Sequence, residues 1–294
     1  FNDDAATATA EPLQSVAEGA TITGVLDFVA GADGASVTHI NSTALVFGGD
    51  GYSQTLHIGD GTIKVKADGT YSFTADSPVV GTGSSSMTFT VTDGDGDTAS
   101  AGISFTVTDA NTPTGGSAAA AVDDDGLPGG NPASTTLDLN ANIGDNPADT
   151  SEATFTGVLG GSVGPDGAGA NGFSFAGLNG TSGTVGTETV SYSWDGGTNT
   201  LTATGPRGAL FKVQITNTAT GDYKVTLLDN VLQATGPNNE NNATTALTYT
   251  IKDADGSTAT GTLTVTFNDD AATATAEPLQ SVAESATITG VLDF

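Results

Sequence analysis

MTFTVTDGDGDTASAGISFTVTDA, residues 87–110, decides how the rest of the chain is read. Met, Phe, Val and Ile alternate with Thr and Ser on both sides of an Asp-Gly turn. A period of two in β-branched and aromatic residues is the mark of a half-buried strand, and Asp-Gly between two such runs marks a hairpin. The pattern returns without a gap as LTYTIKDADGSTATGTLTVTFNDD at 247–270. Further upstream DGTYSFT matches TGDYKVT, AEGATITGVL matches SEATFTGVL, and GADGAS matches GPDGAG. Two units of one plan are therefore present, the second enlarged.

A longer echo frames both. The run from Phe1 to Phe28 recurs from Phe267 to Phe294 with one change, Gly19 against Ser285. Self-similarity at a fixed period signals a tandem array, so the sequence reads as one whole repeat followed by the start of the next. The expected organisation is a first β-sandwich at 1–109, a linker at 110–122, a second and larger β-sandwich at 123–269, and a truncated copy at 270–294. NTPTGGSAAAA, rich in Gly, Ser, Pro and Ala, reads as a connector. Helix signals are scarce, and the expected fold class is all-β: immunoglobulin-like or cadherin-like sandwiches of about seven strands in an elongated array. The truncated copy holds too few strands for a core, so it should fray or borrow an edge. The second unit's extra length lies in LDLNANIGDNPAD and in the hairpin SYSWDGGTNTLTATG. Asp138, Asn140 and Asn142 have EF-hand spacing, but Ile143 stands where that loop needs Gly, and a strand running into a loop is the better reading.

Charge narrows the function. There are 34 acidic residues against six basic ones, a formal net charge of −28. Phosphate binding needs clustered Lys and Arg, which sets nucleic acid aside, and anionic membrane surfaces are disfavoured for the same reason. No apolar run reaches membrane-spanning length, no signal peptide is visible, and with no Cys neither disulfides nor thiolate metal sites are possible. Such a surplus repels itself in a compact state, and a hard cation is the natural neutraliser.

The carboxylates sit where a cation could use them. In an up-and-down count, the last hairpin turn and the turn after the second strand fall where the chain enters a sandwich. In the first unit this gathers Asp33, Asp93, Asp95 and Asp97 near Asp3 and Asp4. In the second it is expected to gather Asp166, Asp253 and Asp255 near Asp123, Asp124 and Asp125. The turn after the first strand falls at the exit, placing Glu18 near Asp109, and Glu152 near Asp269 and Asp270. Ca²⁺ takes six to eight oxygens and suits such sets better than Mg²⁺, which demands tighter octahedral geometry. Isolated Asp-Gly turns at Asp60 and Asp68 read as plain turns.

Catalysis finds little footing. His39 and His57 are the only histidines, no nucleophile-elbow motif accompanies them, and no phosphate-binding loop is present. Trp194 and Tyr192 make a weak glycan contact conceivable, and a carbohydrate-binding module is the rival reading.

SYSWDGGTNTLTATG, GDYKVTLLDN and LTYTIKDADGSTATGTLTVTFNDD together resemble repeats of giant type I-secreted RTX adhesins, the large adhesive or biofilm-associated proteins. KADGTYSFTA and FTVTDGDGDTA resemble the VCBS and cadherin-like repeats of the same proteins. The resemblance covers nearly the whole chain. It implies an extracellular extender on a bacterial cell surface, exported by type I secretion, in which Ca²⁺ rigidifies sandwiches that project an adhesive tip. Neighbouring repeats of the same chain would be the partners, with no obligate oligomer. One family feature is missing. Tandem RTX nonapeptides are absent, and GGDGYSQTL departs from that pattern at Ser53.

Overall fold

The computed structural model describes residues 4–128, 152–234, 242–269 and 276–292. Two compact units divide the chain. The first comprises Phe1–Pro113 together with Val163–Gly169 and Asp253–Thr258, and the second comprises Thr114–Ser162, Ala170–Lys252 and Ala259–Phe294.

Alternating sequence becomes alternating burial in the first unit. Its strands are β1 (Thr7–Ala8), β2 (Gln14–Ala17), β3 (Thr21–Val25), β4 (Phe28–Val29), β5 (Ala35–Ile40), β6 (Thr43–Ala44), β7 (Leu56–His57), β8 (Gly61–Val65), β9 (Thr70–Ala75), β10 (Thr82–Asp93) and β11 (Thr98–Thr108). One sheet runs β2-β11-β10-β5-β6, the other β3-β9-β8-β7, with β1 and β4 as a separate pair. Met87, Phe89 and Val91 of β10, with Ile103, Phe105 and Val107 of β11, turn inward onto Ile63, Val65, Tyr71 and Phe73 of the facing sheet. Phe73 stacks on Phe105 with ring centroids 3.9 Å apart. Burying each such side chain contributes about 1.5–3 kcal/mol. The strands outnumber the expected seven because β1, β4, β6 and β7 are two-residue pieces at the margins.

The second unit repeats the plan with β12 (Ser117–Asp123), β13 (Thr154–Val158), β14 (Ala168–Ser174), β15 (Ser182–Val185), β16 (Glu188–Asp195), β17 (Thr200–Gly205), β18 (Gly208–Asn217), β19 (Asp222–Leu227), β20 (Ala243–Asp253) and β21 (Thr258–Asn268). Its sheets run β12-β21-β20-β14 and β13-β19-β18-β17-β16-β15. The added hairpin is β16–β17, with Trp194 opposite Leu201. Leu201, Phe211, Val213, Val225, Leu247, Ile251, Leu263, Val265 and Phe267 are buried in its core. The shared TGV motif has a packing cause. A Cβ on Gly24 would lie 2.5 Å from the Tyr71 hydroxyl oxygen, and one on Gly157 2.9 Å from that of Tyr223, so each strand can cross its tyrosine only as glycine.

The linker reading of 110–122 needs correction. Ser117–Asp123 is a strand, β12, paired in parallel with β21 from Ser117 opposite Thr262 to Asp123 opposite Asn268. Alanine is a poor strand former, yet here the neighbouring β21 supplies the ladder and Ala120 and Val122 are buried. In the first unit β2 pairs in parallel with β11 in the same way. Residues 129–151, with their EF-hand-like spacing, lie outside the described residues. Residues 276–292 carry no strand, and Leu279 is 100% exposed.

Candidate metal centre

Four carboxylates from distant parts of the sequence meet in the first unit. Glu18, Asp109, Asp166 and Asp255 each offer an oxygen within 4.8 Å of the others. Glu18 follows β2 and Asp109 follows β11, and the parallel pairing of those strands brings both to one end. Asp255 lies in the turn between β20 and β21, and Asp166 lies before β14. The Ala254 amide donates to the Gly167 carbonyl at 3.0 Å and holds these two loops together.

Glu18 is anchored through both oxygens and each aspartate through one. Glu18, 5% exposed, accepts from the Val79 amide on Oε2 and from the Ala110 and Asn111 amides on Oε1, at 2.9, 3.1 and 3.1 Å. Asp109 Oδ2 accepts from Ser257 Oγ at 2.7 Å. Asp166 Oδ1 accepts from Ser77 Oγ at 3.1 Å and from Asn111 Nδ2 at 3.3 Å. Asp255 Oδ1 accepts from the Ser257 amide at 3.0 Å. The opposite oxygens, Asp109 Oδ1, Asp166 Oδ2 and Asp255 Oδ2, are sealed from solvent with no donor. Buried polar atoms are normally partnered, and buried charges pair or coordinate metal. The ion pairs among the described residues are His57–Asp76, Arg207–Glu188 and Arg207–Asp229, none of them here. Oxygens so spaced suit a hard cation at about 2.3–2.6 Å from each.

Asp253, two residues before Asp255, is fully buried, and its Oδ2 also has no donor. Burial first, and then the adjoining Asp255 carboxylate, push the Asp253 carboxyl above the usual range.

The other predicted carboxylates separate into two further groups. At the opposite end of the first unit the Ala32 amide donates to Asp4 Oδ2 at 3.0 Å. Gly94 packs on the Asp33 carbonyl, which a Cβ there would meet at 2.8 Å. Asp93, Asp95 and Asp97 bring their oxygens within 4.8 Å of one another. Asp4 and Asp33 thus lie near the turn that carries Asp93, Asp95 and Asp97, but only those last three bring carboxylate oxygens together; Asp3 lies outside the described residues.

The expected grouping of Asp166, Asp253 and Asp255 with Asp123, Asp124 and Asp125 is overturned. Those three follow β12, and the Asp123 amide donates to the Glu152 carbonyl at 3.0 Å. A seven-residue strand at about 3.3 Å per residue carries them about 20 Å from the start of β12. They stand instead at the end where β21 finishes, Asp123 facing Asn268. Glu152 belongs to that end too, as does Asp269, the residue after β21; Asp270 lies outside the described residues.

The remaining candidates are occupied by packing. Tyr192 is buried, its hydroxyl 3.4 Å from Thr245 Oγ1, and the half-buried Trp194 lies 6.3 Å from the Phe175 ring. His57 meets Asp76 at 2.9 Å on the surface, and His39 Nδ1 lies 3.0 Å from Thr38 Oγ1. No helix of the described residues is long and apolar enough to cross a membrane.

Comparison with known proteins agrees with the sandwich architecture. The family of the bacterial Ig domain matches residues 2–108. No curated protein sequence matches the chain. Among solved structures, the extracellular cadherin domains 1–4 of protocadherin gamma B7 are similar at 15% identity and a TM-score of 0.27, over 92% of this chain and 52% of that one. The human desmocollin-1 ectodomain is similar at 13% identity and 0.25, over 91% and 41%. An endo-fucoidan hydrolase of glycoside hydrolase family 107 is similar at 11% and 0.27, over 92% and 30%. The chain spans about half the length of that protocadherin. The fold is all-β, with residues 2–108 matching the bacterial Ig family.

Proposed function

We propose that this chain is a calcium-rigidified extender segment of a bacterial cell-surface adhesin, exported by type I secretion and holding an adhesive tip away from the cell for attachment or biofilm formation. The observation that carries the reading is the group Glu18, Asp109, Asp166 and Asp255, in which each aspartate keeps one oxygen buried without a donor. The bacterial Ig family match over residues 2–108 supports a surface or extracellular module. The function is mechanical. Where calcium is scarce, a net charge of −28 favours a loose chain suited to export. At the millimolar calcium outside a cell, sites of the weaker extracellular class fill, and binding to the folded state alone stabilises it by mass action.

In this reading Glu18 and Asp109 hold the ion from the ends of β2 and β11, and Asp166 and Asp255 hold it from their loops. Segments far apart in sequence become one rigid unit. Calcium supplies the positive charge, and the protein supplies pre-anchored oxygens. Tyr192 is buried, which weighs against its part in the carbohydrate-binding alternative. The test is thermal melting and small-angle scattering of the chain in millimolar CaCl₂ and in chelator. Calcium should raise the melting temperature and narrow the distribution of dimensions. Identical curves in both buffers would sink the proposal.

A further inference from the structure

We infer that Asp253 is a positioning residue that makes the first unit's stability conditional on a cation and favours cations of higher charge. The inference rests on the reading of Glu18, Asp109, Asp166 and Asp255 as a cation centre. Asp253 is 0% exposed. Its Oδ1 accepts from the Gly256 amide at 2.9 Å, which builds the turn, but its Oδ2 is sealed with no amide or hydroxyl donor, and its neighbour is the Asp255 carboxyl, whose Oδ2 also has none. A buried carboxylate without donor or counter-ion destabilises a fold, and a second carboxylate beside it adds to the burden.

The turn itself does not require this. At the matching place in the first hairpin, Asp93 Oδ1 accepts from the Gly96 and Asp97 amides and Oδ2 from the Ala6 amide. The same Asp-x-Asp-Gly turn is thus built elsewhere with both oxygens satisfied. At Asp253 one oxygen is left over beside a metal-facing carboxylate. A cation on Asp255 offsets that charge at short range, and its benefit grows with the product of the charges.

The isosteric variant Asp253→Asn separates the roles. Its side-chain carbonyl keeps the bond from Gly256, and its amide can donate to Asp255, doing in part what the cation does. The experiment uses the full chain, wild type and D253N, with melting followed in chelator, in CaCl₂ and in TbCl₃, and affinities measured by calorimetry. In chelator D253N should melt several degrees above wild type. Its calcium-induced rise should be less than half that of wild type, its calcium affinity about tenfold weaker, and its terbium affinity weaker by a larger factor. Equal affinities and equal melting in chelator overturn the inference. So does a D253N chain that melts lower in chelator, or fails to fold, because a purely structural turn residue would behave that way. If wild type binds neither ion, the cation centre itself fails and takes this inference with it, an outcome seen before any variant is compared.

Discussion

The turns at 93–97 and 253–257 have nearly the same sequence, DGDGD and DADGS, and the same backbone, with Gly96 and Gly256 both at φ 106°. Their electrostatics differ. Asp93 is desolvated, but a hydrogen bond shared with the Asp95 carboxyl and the amides of Ala6, Asp97 and Gly96 outweigh that and hold its carboxyl below the usual range. Asp253 has lost the equivalent of the Ala6 amide, and burial pushes its carboxyl up. The first turn satisfies Asp93 with its own amides and that of Ala6, and leaves Asp95 and Asp97 exposed. The second leaves buried oxygens facing Glu18, Asp109 and Asp166. Two turns of one backbone thus differ in whether their surroundings supply donors to the buried carboxylates.

Four perturbations would break or sharpen this contrast. The largest effect belongs to Glu18→Ala, which strands three backbone amides and opens the second turn's centre. Denaturant unfolding should show a loss of about 2–4 kcal/mol together with loss of the calcium response. Next, Asp255→Asn should remove most of a calcium stabilisation of about 1–3 kcal/mol, whereas Asp95→Asn should leave most of it. Equal losses in a calcium titration of melting temperature would erase the distinction between the turns. Gly96→Ala and Gly256→Ala are the control for backbone. Both positions have φ 106°, so each should cost about 1 kcal/mol or more, and by similar amounts in chelator.

The smallest effect is on pH, and its sign is opposite at the two turns. Asp93 has a depressed pKa when folded, so its contribution is complete above about pH 3.9 and is lost as pH falls through the folded value. Asp253 has a raised pKa, so folding gains as pH falls through that value toward about 3.9. In chelator, acidification from neutral to about pH 4 should therefore increase amide protection at Gly256 before further acid reduces it at Gly96. Hydrogen exchange corrected for intrinsic rates reads both, and a parallel response at the two glycines would contradict the assignment.

Much of this architecture was legible because strand patterning is local. Met87, Phe89 and Val91 alternate in sequence and bury alternately, and the Asp68-Gly69 turn joins β8 to β9 with Gly69 at φ 90°. The pairing of Glu18 with Asp109 followed from counting strands. The alanines at 118–121 misled, because their propensity argues against a strand while β21 offers them an edge to pair with. That one strand moved Asp123, Asp124 and Asp125 to the opposite end from Asp253 and Asp255. The orphaned oxygen of Asp253 had no signal at all, since nothing in DADGS reveals that an amide is missing nearby.

What the sequence by itself determined is what neighbouring residues decide: the period-two strands, the Asp-Gly turns, the duplicated plan and the acidic surplus. Only the tertiary structure decided which carboxylates meet and which of their oxygens find donors. The physical reason is range. Turn and strand preferences act over two to four residues, whereas Glu18, Asp109, Asp166, Asp253 and Asp255 are brought together by strand pairings and loop contacts between distant segments, and their oxygens lose water only once those pairings have formed.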